Sequence, residues 1–255
     1  MAKGLGGLWE LMTWPEVERA AKEDLPVVIG VGSTEQHGPH LPVSADVLLP
    51  LAVEQRAAEI IPLVIAPPIR YGARSRALSG GGETFPGTLS LRGATLMLTV
   101  QEVLAAIARS GFKRLCVHNW HYENAGFLWE ACDLAVSQHP DLRIVLIESA
   151  MPDFSPEELK EVFPRGFPGW DVEHASIAET SMMMVTHPEL IRRERIIDDE
   201  AKRHPTWDVV PAPQDFIPKS GVLWHPTEAT EEIGHKFIDG AVKRLVTAMR
   251  TELAV

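Results

Sequence analysis

The sequence has 255 residues, and its hydrophobic and charged fractions, 45% and 23%, are those of an ordinary globular protein. This length suffices for one large folded unit, and we expect residues 1–255 to form a single domain. Lysine and arginine number 24 against 35 aspartates and glutamates, which gives a formal charge of −11. Because this charge repels phosphates, neither nucleic acid nor an anionic membrane is an expected partner.

The cysteines and the N-terminal residues favour a cytoplasmic location. Cys116 and Cys132 lie in apolar surroundings without the CxxC spacing of zinc or redox sites, so we expect buried, reduced thiols. The first residues lack the apolar core of a signal peptide, and no run approaches the length of a membrane span.

Short apolar runs alternate with longer helical patterns along the chain, as they do where helices join parallel strands. Thr13, followed by Pro15 and Glu16, is a helix start signal. We predict strands at 25–32, 63–69, 114–119 and 142–149, and further helices at about 47–60, 91–109, 124–138, 176–185 and 229–252. The segment from about 200 to 227, rich in proline and aromatic residues, is predicted to be an ordered excursion over the surface, with a possible use as a lid or subunit contact.

Two of the predicted strands are followed by an acid and a histidine at the same spacing. Glu35 and His37 follow the strand at 25–32, and His121 and Glu123 follow the strand at 114–119. Residues two apart in an extended segment project to the same side, so each pair offers one oxygen and one nitrogen in a common direction. Ligands of open α/β sheets gather at the carboxyl ends of the strands, where both pairs are expected. A single pair of this kind is more often structural, but two at strand ends favour a binding site.

Asp46 adds a third carboxylate, just before a predicted helix whose N-terminus favours negative charge. Five donors are more than one catalytic zinc takes from a protein, because such a site keeps an open position. Two metals fit better, since a bridging Asp46 gives each of them three protein ligands and room for a shared water. Mixed imidazole and carboxylate donors suit Zn²⁺ or Mn²⁺ and do not choose between them.

Four blocks of the sequence resemble motif blocks of the creatininase family, in the same order and over nearly the whole chain. They read GSTEQHGPHLPVSADVLLP, SGGGETFPGTLSL, HYENAGFLWEACDLA and GWDVEHASIAETSMMM. The resemblance implies a three-layer α/β/α sandwich with a mostly parallel sheet, a homohexamer, and metal-dependent attack of water on a small cyclic amide such as creatinine. It also implies that two divalent ions per subunit, Zn and/or Mn, are bound, one by Glu35, Asp46 and His121 and the other by His37, Asp46 and Glu123.

The resemblance also gives roles to residues of the fourth block. Trp170 would stack on a flat ring, and Asp171 would accept hydrogen bonds from an amidine. His174 would carry the proton to the leaving nitrogen, with Glu173 orienting or tuning it. The expected catalytic residues are His174, Glu173 and Glu123, and the expected substrate contacts are Ser79, Trp120, Tyr122, Trp170, Asp171 and His174. From the residues alone, Trp170 filling the core and His174 as a satisfied polar group remain the alternative.

Two departures from the family pattern concern the substrate. Creatinine-specific members carry a tryptophan in a loop after the fourth strand, where Pro152 stands here. They also have glycine directly before the ligand histidine, where this chain has Trp120. Other substrates therefore remain as alternatives: another lactam, a formamide, a peptide bond or a keto-inositol ring. A non-catalytic scaffold is the third possibility, although all five expected metal donors are present.

Overall fold

The computed structural model describes residues 6–149, 151–201, 209–211, 213 and 216–255, and a five-stranded parallel sheet lies at its centre. Its strands are β1 (Gly7–Leu8), β2 (Val27–Val31), β3 (Val64–Ile65), β4 (Arg114–Asn119) and β5 (Arg143–Ile147), in the spatial order β1-β3-β2-β4-β5. The helices are α1 (Trp14–Lys22), α2 (Ala45–Ala58), α3 (Gly93–Arg109), α4 (Ala125–Gln138), α5 (Pro156–Val162), α6 (Ile177–Thr186) and α7 (Glu231–Leu253).

Helices cover both faces of the sheet. Successive side chains of a strand point to opposite faces, so each strand contributes to two apolar cores, one on each face. Val28 of β2 and Cys116 of β4 belong to a core shared with α2, α6 and α7. Their neighbours Val27 and Leu115 belong to a second core, shared with α1, α3 and α4. Both faces of the strands are apolar, as expected of a parallel sheet under two helical layers. The predicted three-layer α/β/α sandwich is confirmed.

The predicted elements are recovered with small shifts at their ends, and one strand is much shorter than expected. The strand predicted at 63–69 is regular only over Val64–Ile65. Pro67 and Pro68 follow directly, and proline has no N–H to donate to a strand neighbour. The helix start at Thr13 is confirmed, since the Glu16 carboxylate accepts the Thr13 backbone N–H at 2.7 Å.

Two elements have no counterpart in the sequence prediction. β1 is two residues long, too short for a periodic signal. α5 begins with a capping box of Ser155 and Glu158, with Pro156 in its first turn, and this start signal is visible in the sequence. Part of the predicted surface excursion, residues 202–208, 212 and 214–215, lies outside the described residues.

The order of the strands fixes where a site can form. β2 and β4 are neighbours, paired from Val27 with Leu115 to Val31 with Asn119. From β2 the chain continues to β3 on one side, whereas from β4 it continues to β5 on the other. The loops that leave these two strands therefore separate and open a crevice at their carboxyl ends, the usual ligand position in such sheets. Among the described helices, none is long and apolar enough to cross a bilayer.

Candidate metal centre and active site

The loop after β2 brings Glu35, His37 and Asp46 to the crevice. Asp46 lies in the first turn of α2, and α2 approaches β2 so closely that a Cβ on Gly32 would stand 2.0 Å from the Asp46 carbonyl oxygen. Glycine at position 32 is therefore what allows this approach. The Glu35 backbone N–H donates to the carbonyl of Val43 at 3.0 Å and closes the loop between them.

The segment after β4 brings His121 to the same place. The Trp120 N–H donates to the carbonyl of Val31 at 2.9 Å, so this segment stays paired with β2 beyond the end of β4. His121 Nε2 lies 2.9 Å from the carbonyl oxygen of Ala73 and must donate to it. In a neutral imidazole this leaves the lone pair on Nδ1, which faces the carboxylates of the β2 loop.

Asp46 stands between the two histidines and presents one oxygen to each of them. Its Oδ2 lies 3.3 Å from His121 Nδ1, and Glu35 Oε1 lies 3.1 Å from the same nitrogen. Its Oδ1 lies 3.1 Å from His37 Nε2. The structure thus brings together four of the five predicted metal donors, Glu35, His37, Asp46 and His121, around one shared carboxylate.

Glu179 is part of this cluster, and the sequence analysis missed it. Its Oε1 lies 3.5 Å from His37 Nε2, and one donor atom each of His37, Asp46 and Glu179 lie within 4.8 Å of one another. The same holds for Glu35, Asp46 and His121, and for Glu35, His37 and His174. A signal existed: Glu179 is the single charged residue of the otherwise uncharged helix α6.

The fifth predicted donor, Glu123, lies beside His121 and apart from His37. Its Oε2 is 3.4 Å from His121 Nε2, and its Oε1 accepts the Arg76 backbone N–H at 3.1 Å. The Ser79 hydroxyl also donates to Oε1. The pairing of Glu123 with His37 on one metal stays a prediction.

Burial and neighbouring charges act in opposite directions on the groups of the cluster. Burial raises the pKa of Glu35, but the imidazoles of His121 and His174 outweigh it and leave the pKa below its ordinary value. Burial lowers the pKa of His37, but the carboxylates of Glu179 and Asp46 raise it well above the ordinary value. The buried carboxylates therefore favour positive charge between them, whether a proton or a metal ion supplies it.

The hydrogen bonds of His174 determine which of its ring nitrogens faces the cluster. Its Nε2 lies 2.8 Å from the Gln36 carbonyl oxygen and 2.9 Å from Gln36 Nε2. The Gln36 amide group also contacts the carbonyls of Gly80 and Gly221, at 3.1 and 2.9 Å, and these two acceptors use its two hydrogens. His174 Nε2 is therefore the donor to the Gln36 carbonyl, and Nδ1 carries the lone pair, 3.7 Å from Glu35 Oε1.

Glu173 is placed differently from the expectation that it orients His174. Both ring nitrogens of His174 face other residues, and Glu173 Oε1 instead accepts the Ala178 backbone N–H at 2.7 Å. Burial, helped by the nearby charge of Glu179, raises the pKa of Glu173 to about 8. A carboxyl group with this pKa holds its proton at neutral pH and is able to donate it.

The cluster lies at the base of a cavity of about 700 Å³. Its lining includes the predicted substrate contacts Ser79, Trp120, Tyr122, Trp170, Asp171 and His174, together with Arg74, Arg76, Phe127 and Met151. Trp170 also packs on Phe167, with ring centroids 4.6 Å apart, so it contributes to the core and to the cavity wall. Trp120 is buried, with its ring edge against His118 at 5.2 Å.

The loop after β5 holds Pro152 against the protein and away from the cavity mouth. Pro152 is buried, and a Cβ on Gly240 of α7 would lie 2.6 Å from the Pro152 Cβ. Glu148, Ser149 and Met151 of this loop line the cavity, and Pro152 does not. Pro152, which the sequence resemblance places where creatinine-specific members are expected to carry a lid tryptophan, thus packs on α7.

The donor set fits a pair of divalent cations. Asp46 Oδ2 is buried and accepts no hydrogen bond from the described residues, although it faces His121 Nδ1. A buried carboxylate oxygen without a hydrogen bond is costly unless a cation or proton satisfies it. The cluster combines imidazole nitrogens with carboxylate oxygens that lie within 4.8 Å of one another. Zn²⁺ and Mn²⁺ both bind such mixed donor sets.

Comparison with known proteins identifies the family. The model for the creatininase family, described as creatinine amidohydrolase, matches residues 10–249. The creatinine amidohydrolase of Pseudomonas putida is 39% identical over 249 residues, which cover 94% of this chain and 95% of that protein. The mycofactocin precursor peptide peptidase of Mycobacterium tuberculosis is 30% identical over 257 residues, which cover 92% of this chain and 92% of that protein.

Solved creatininase structures share the fold over nearly the whole length. A variant described as Zn–Zn type has a TM-score of 0.90 at 36% identity and covers 98% of this chain and 99% of its own. A structure described as creatininase Mn has a TM-score of 0.90 at 36% identity, with 97% and 98% covered. Sequence blocks, strand order and coverage agree, and this chain belongs to the creatininase family of hydrolases.

Proposed function

We propose that the protein is a metal-dependent amidohydrolase that opens a small cyclic amide or amidine, with creatinine, giving creatine, as its substrate. The observation that carries this proposal is the placement of Asp46, which presents one carboxylate oxygen to His37 and the other to His121. A carboxylate shared in this way is the bridging element that two adjacent cations need. The relationship to the creatinine amidohydrolase of Pseudomonas putida supports the choice of substrate.

Glu35, Asp46 and His121 would hold one cation, and His37 and Asp46 would contribute to the other. Two divalent cations bound there supply Lewis acidity and lower the pKa of a coordinated water towards ~7. The chain's own groups then have to hold the substrate, exclude bulk water and deliver a proton to the leaving nitrogen. Zn²⁺ and Mn²⁺ are the expected ions.

The walls of the cavity suit a flat, nitrogen-rich ring. Trp170 and Trp120 offer apolar surfaces, and Asp171 offers a carboxylate to amidine N–H groups. Ser79 and Glu123 are hydrogen-bonded to each other at the edge of the metal cluster, where a ring carbonyl or its hydrolysed product would lie. Together these groups would orient the amide bond towards the cations.

His174 would transfer the proton through Nδ1. Because its Nε2–H donates to the Gln36 carbonyl, Nδ1 is the nitrogen open to the reaction centre. It would accept a proton from the attacking water and return it to the departing ring nitrogen. Glu173, protonated at neutral pH, is the second group from which a proton is available.

Hydrolysis of a larger amide, such as a peptide bond, is the second candidate function. The cavity of about 700 Å³ is within the ~300–1,000 Å³ that drug-sized ligands occupy, which is more than one small heterocycle fills. Pro152, at the position expected of the lid tryptophan, packs on α7 and does not line the cavity. The predicted homohexamer, the cytoplasmic location and the single domain over residues 1–255 stay predictions.

Chelation followed by metal addition, with a substrate panel, tests the proposal. Protein stripped with a chelator is expected to lose hydrolysis of creatinine and to regain it with Zn²⁺ or Mn²⁺. The panel contains creatinine, hydantoins, other lactams, formamides and a short peptide amide, all assayed at equal concentrations. Full activity of the stripped protein would refute metal dependence, and exclusive hydrolysis of the peptide would favour the second candidate.

A further inference from the structure

Two arginines reach the cavity from an extended stretch of the connection between β3 and α3. Ala73 forms a β-bridge in this stretch, and Arg76 has an extended backbone with φ −75° and ψ 155°. The Ser75 hydroxyl donates to the Glu35 carboxylate, so the residue between the arginines points towards the cluster. Since residues two apart in an extended segment project to the same side, Arg74 and Arg76 share the other side, and both line the cavity.

Both guanidinium groups have neighbours at the cavity wall and remain about half exposed. Arg74 Nε lies 3.6 Å from Glu83 Oε2, and the two side chains are 58% and 40% exposed. Such an exposed ion pair contributes little to stability, so a ligand carboxylate can replace Glu83 at low cost. Arg76 Cζ lies 5.5 Å from the centre of the Tyr122 ring, and its Nε is 3.9 Å from Glu123 Oε1. The two groups therefore have defined positions and stay within reach of a ligand in the cavity.

These arginines give the cavity a positive region in an acidic protein. The chain has a formal charge of −11, and the lining outside the cluster also includes Glu148 and Asp171. Among the described residues of the lining, Arg74 and Arg76 are the only two with a permanent positive charge. A guanidinium group presents its N–H groups in a fork that matches a carboxylate. The ligand group that this wall favours is therefore a carboxylate.

The cluster and the arginines together define a substrate with two ends. Resting on the proposed function, we propose that the site takes, besides creatinine, cyclic amides whose ring carries a carboxylate, and that Arg74 and Arg76 bind this carboxylate. The amide carbonyl would face the cluster while the carboxylate faces the arginines. The cavity of about 700 Å³ has room for such a substituent beside a small ring. Binding at two points would orient the amide bond for attack.

Two hydantoins that differ in one charge test this inference. Hydantoin-5-acetic acid carries the carboxylate, and hydantoin-5-acetamide replaces it with a neutral group of similar shape. Their kcat/KM values are measured with zinc-loaded protein, and a calorimeter gives the dissociation constants of the ring-opened products, N-carbamoyl-aspartate and N-carbamoyl-asparagine. We expect the acid of each pair to be favoured at least about tenfold. Added salt should reduce this ratio, because both arginines are half exposed.

Matched variants show whether the arginines produce the preference. In Arg74→Gln/Arg76→Gln the ratio should fall close to one in both measurements. Arg74→Lys/Arg76→Lys keeps the charges but loses the forks, so it should retain an intermediate ratio. Arg70→Gln removes an exposed arginine that lies earlier in the same connection and outside the cavity lining, and it should keep the ratio of the parent. Circular dichroism and zinc analysis check that each variant is folded and loaded.

The outcomes separate this inference from the proposed function. Equal values for acid and amide in the parent would overturn the inference, as would hydrolysis of creatinine with neither hydantoin touched. A preference that survives in Arg74→Gln/Arg76→Gln would assign it to the cations and overturn the role of the arginines. Hydrolysis of creatinine would leave the proposed function standing in each case. A parent that hydrolyses no cyclic amide would overturn the proposed function, while the calorimetric ratio would still decide whether the arginines bind a carboxylate.

Discussion

At the scale of single residues, the three histidines of the site share one arrangement. Each has one ring nitrogen committed to a backbone carbonyl and the other directed at the carboxylate cluster. The carbonyls belong to Glu35 for His37, to Ala73 for His121 and to Gln36 for His174. Such partners fix the tautomer and the ring orientation before any ligand arrives. The backbone therefore decides which nitrogen of each histidine reacts.

Replacing His174 with alanine should separate catalysis from metal binding. Two donor groups that share Asp46 remain complete without His174, so the variant is expected to keep two zinc equivalents. Loss of the proton-transferring group should lower kcat by about 10²–10⁴-fold. Steady-state assays and metal analysis measure the two effects, with His235→Ala on the exposed side of α7 as the control. Unchanged kcat in His174→Ala would remove this residue from the mechanism.

A second buried pair, away from the cluster, links α2 to the sheet. Glu54 Oε1 lies 3.0 Å from His118 Nδ1, and both residues are about 1% exposed. Gly30 makes room for it, since a Cβ there would stand 2.9 Å from Glu54 Oε1. Burial raises the pKa of Glu54, and the hydrogen bond and charge of His118 only partly offset this.

The raised pKa of Glu54 predicts a dependence of stability on pH. Folded protein keeps the Glu54 proton at pH values where the unfolded chain, with a pKa near 4.5, has lost it. The free energy of unfolding should therefore fall as the pH rises from that value through the raised pKa. Glu54→Gln removes this proton difference, so its melting temperature should fall less than the parent's as the pH rises above about 5. Thermal melts of both proteins, with exposed Glu59→Gln as the control, check this; parallel curves for parent and Glu54→Gln would contradict it.

At the scale of elements, the site depends on close contacts that only glycine permits. Gly32 allows α2 to lie against the end of β2, and Gly234 allows α7 to approach α6, where a Cβ would stand 2.1 Å from the Ser181 carbonyl oxygen. The first contact sets the position of Asp46, and the second supports the helix that carries Glu179. In both cases an added Cβ would collide with a backbone carbonyl group. A change of side-chain rotamer therefore cannot relieve the collision.

Gly32→Ala is expected to damage stability and metal binding together. The added methyl group would meet the Asp46 backbone and push α2 away from β2, at a cost of about 1–3 kcal/mol or more. The shift of Asp46 should weaken both metal sites, because both use this residue. Gly126→Ala in α4 is the control, since nothing lies within 4 Å of its added Cβ. Denaturant unfolding and zinc titration measure the two effects, and parent-like values for both would show that the contact is tolerant.

At the scale of the whole molecule, the sequence predicted what depends on local pattern. β4 was predicted at 114–119, its observed range. The apolar residues Leu115–Val117 are preceded by Lys113 and Arg114 and followed by polar residues, which marks both ends of the strand. Glu35, His37, His121 and Glu123 were predicted as metal donors because they follow two strands at the same spacing, and the structure brings the first three of them to one cluster. Glu179 and β1 were missed because their contacts are with neighbours distant in sequence, His37 for Glu179 and β3 for β1, and β1 is in addition too short for a periodic signal.

The long separations within the site also bear on how the molecule reaches its final state. Gln36 contacts His174 across 138 residues, and Glu179 lies further along the chain still. Closing so large a loop costs entropy that only the docking of α6 repays. A ribosome-bound chain that ends before α6 lacks Glu179, and with it the group of His37, Asp46 and Glu179. The group of His37, Asp46 and Glu179 is thus assembled late, after about two thirds of the chain has been synthesised.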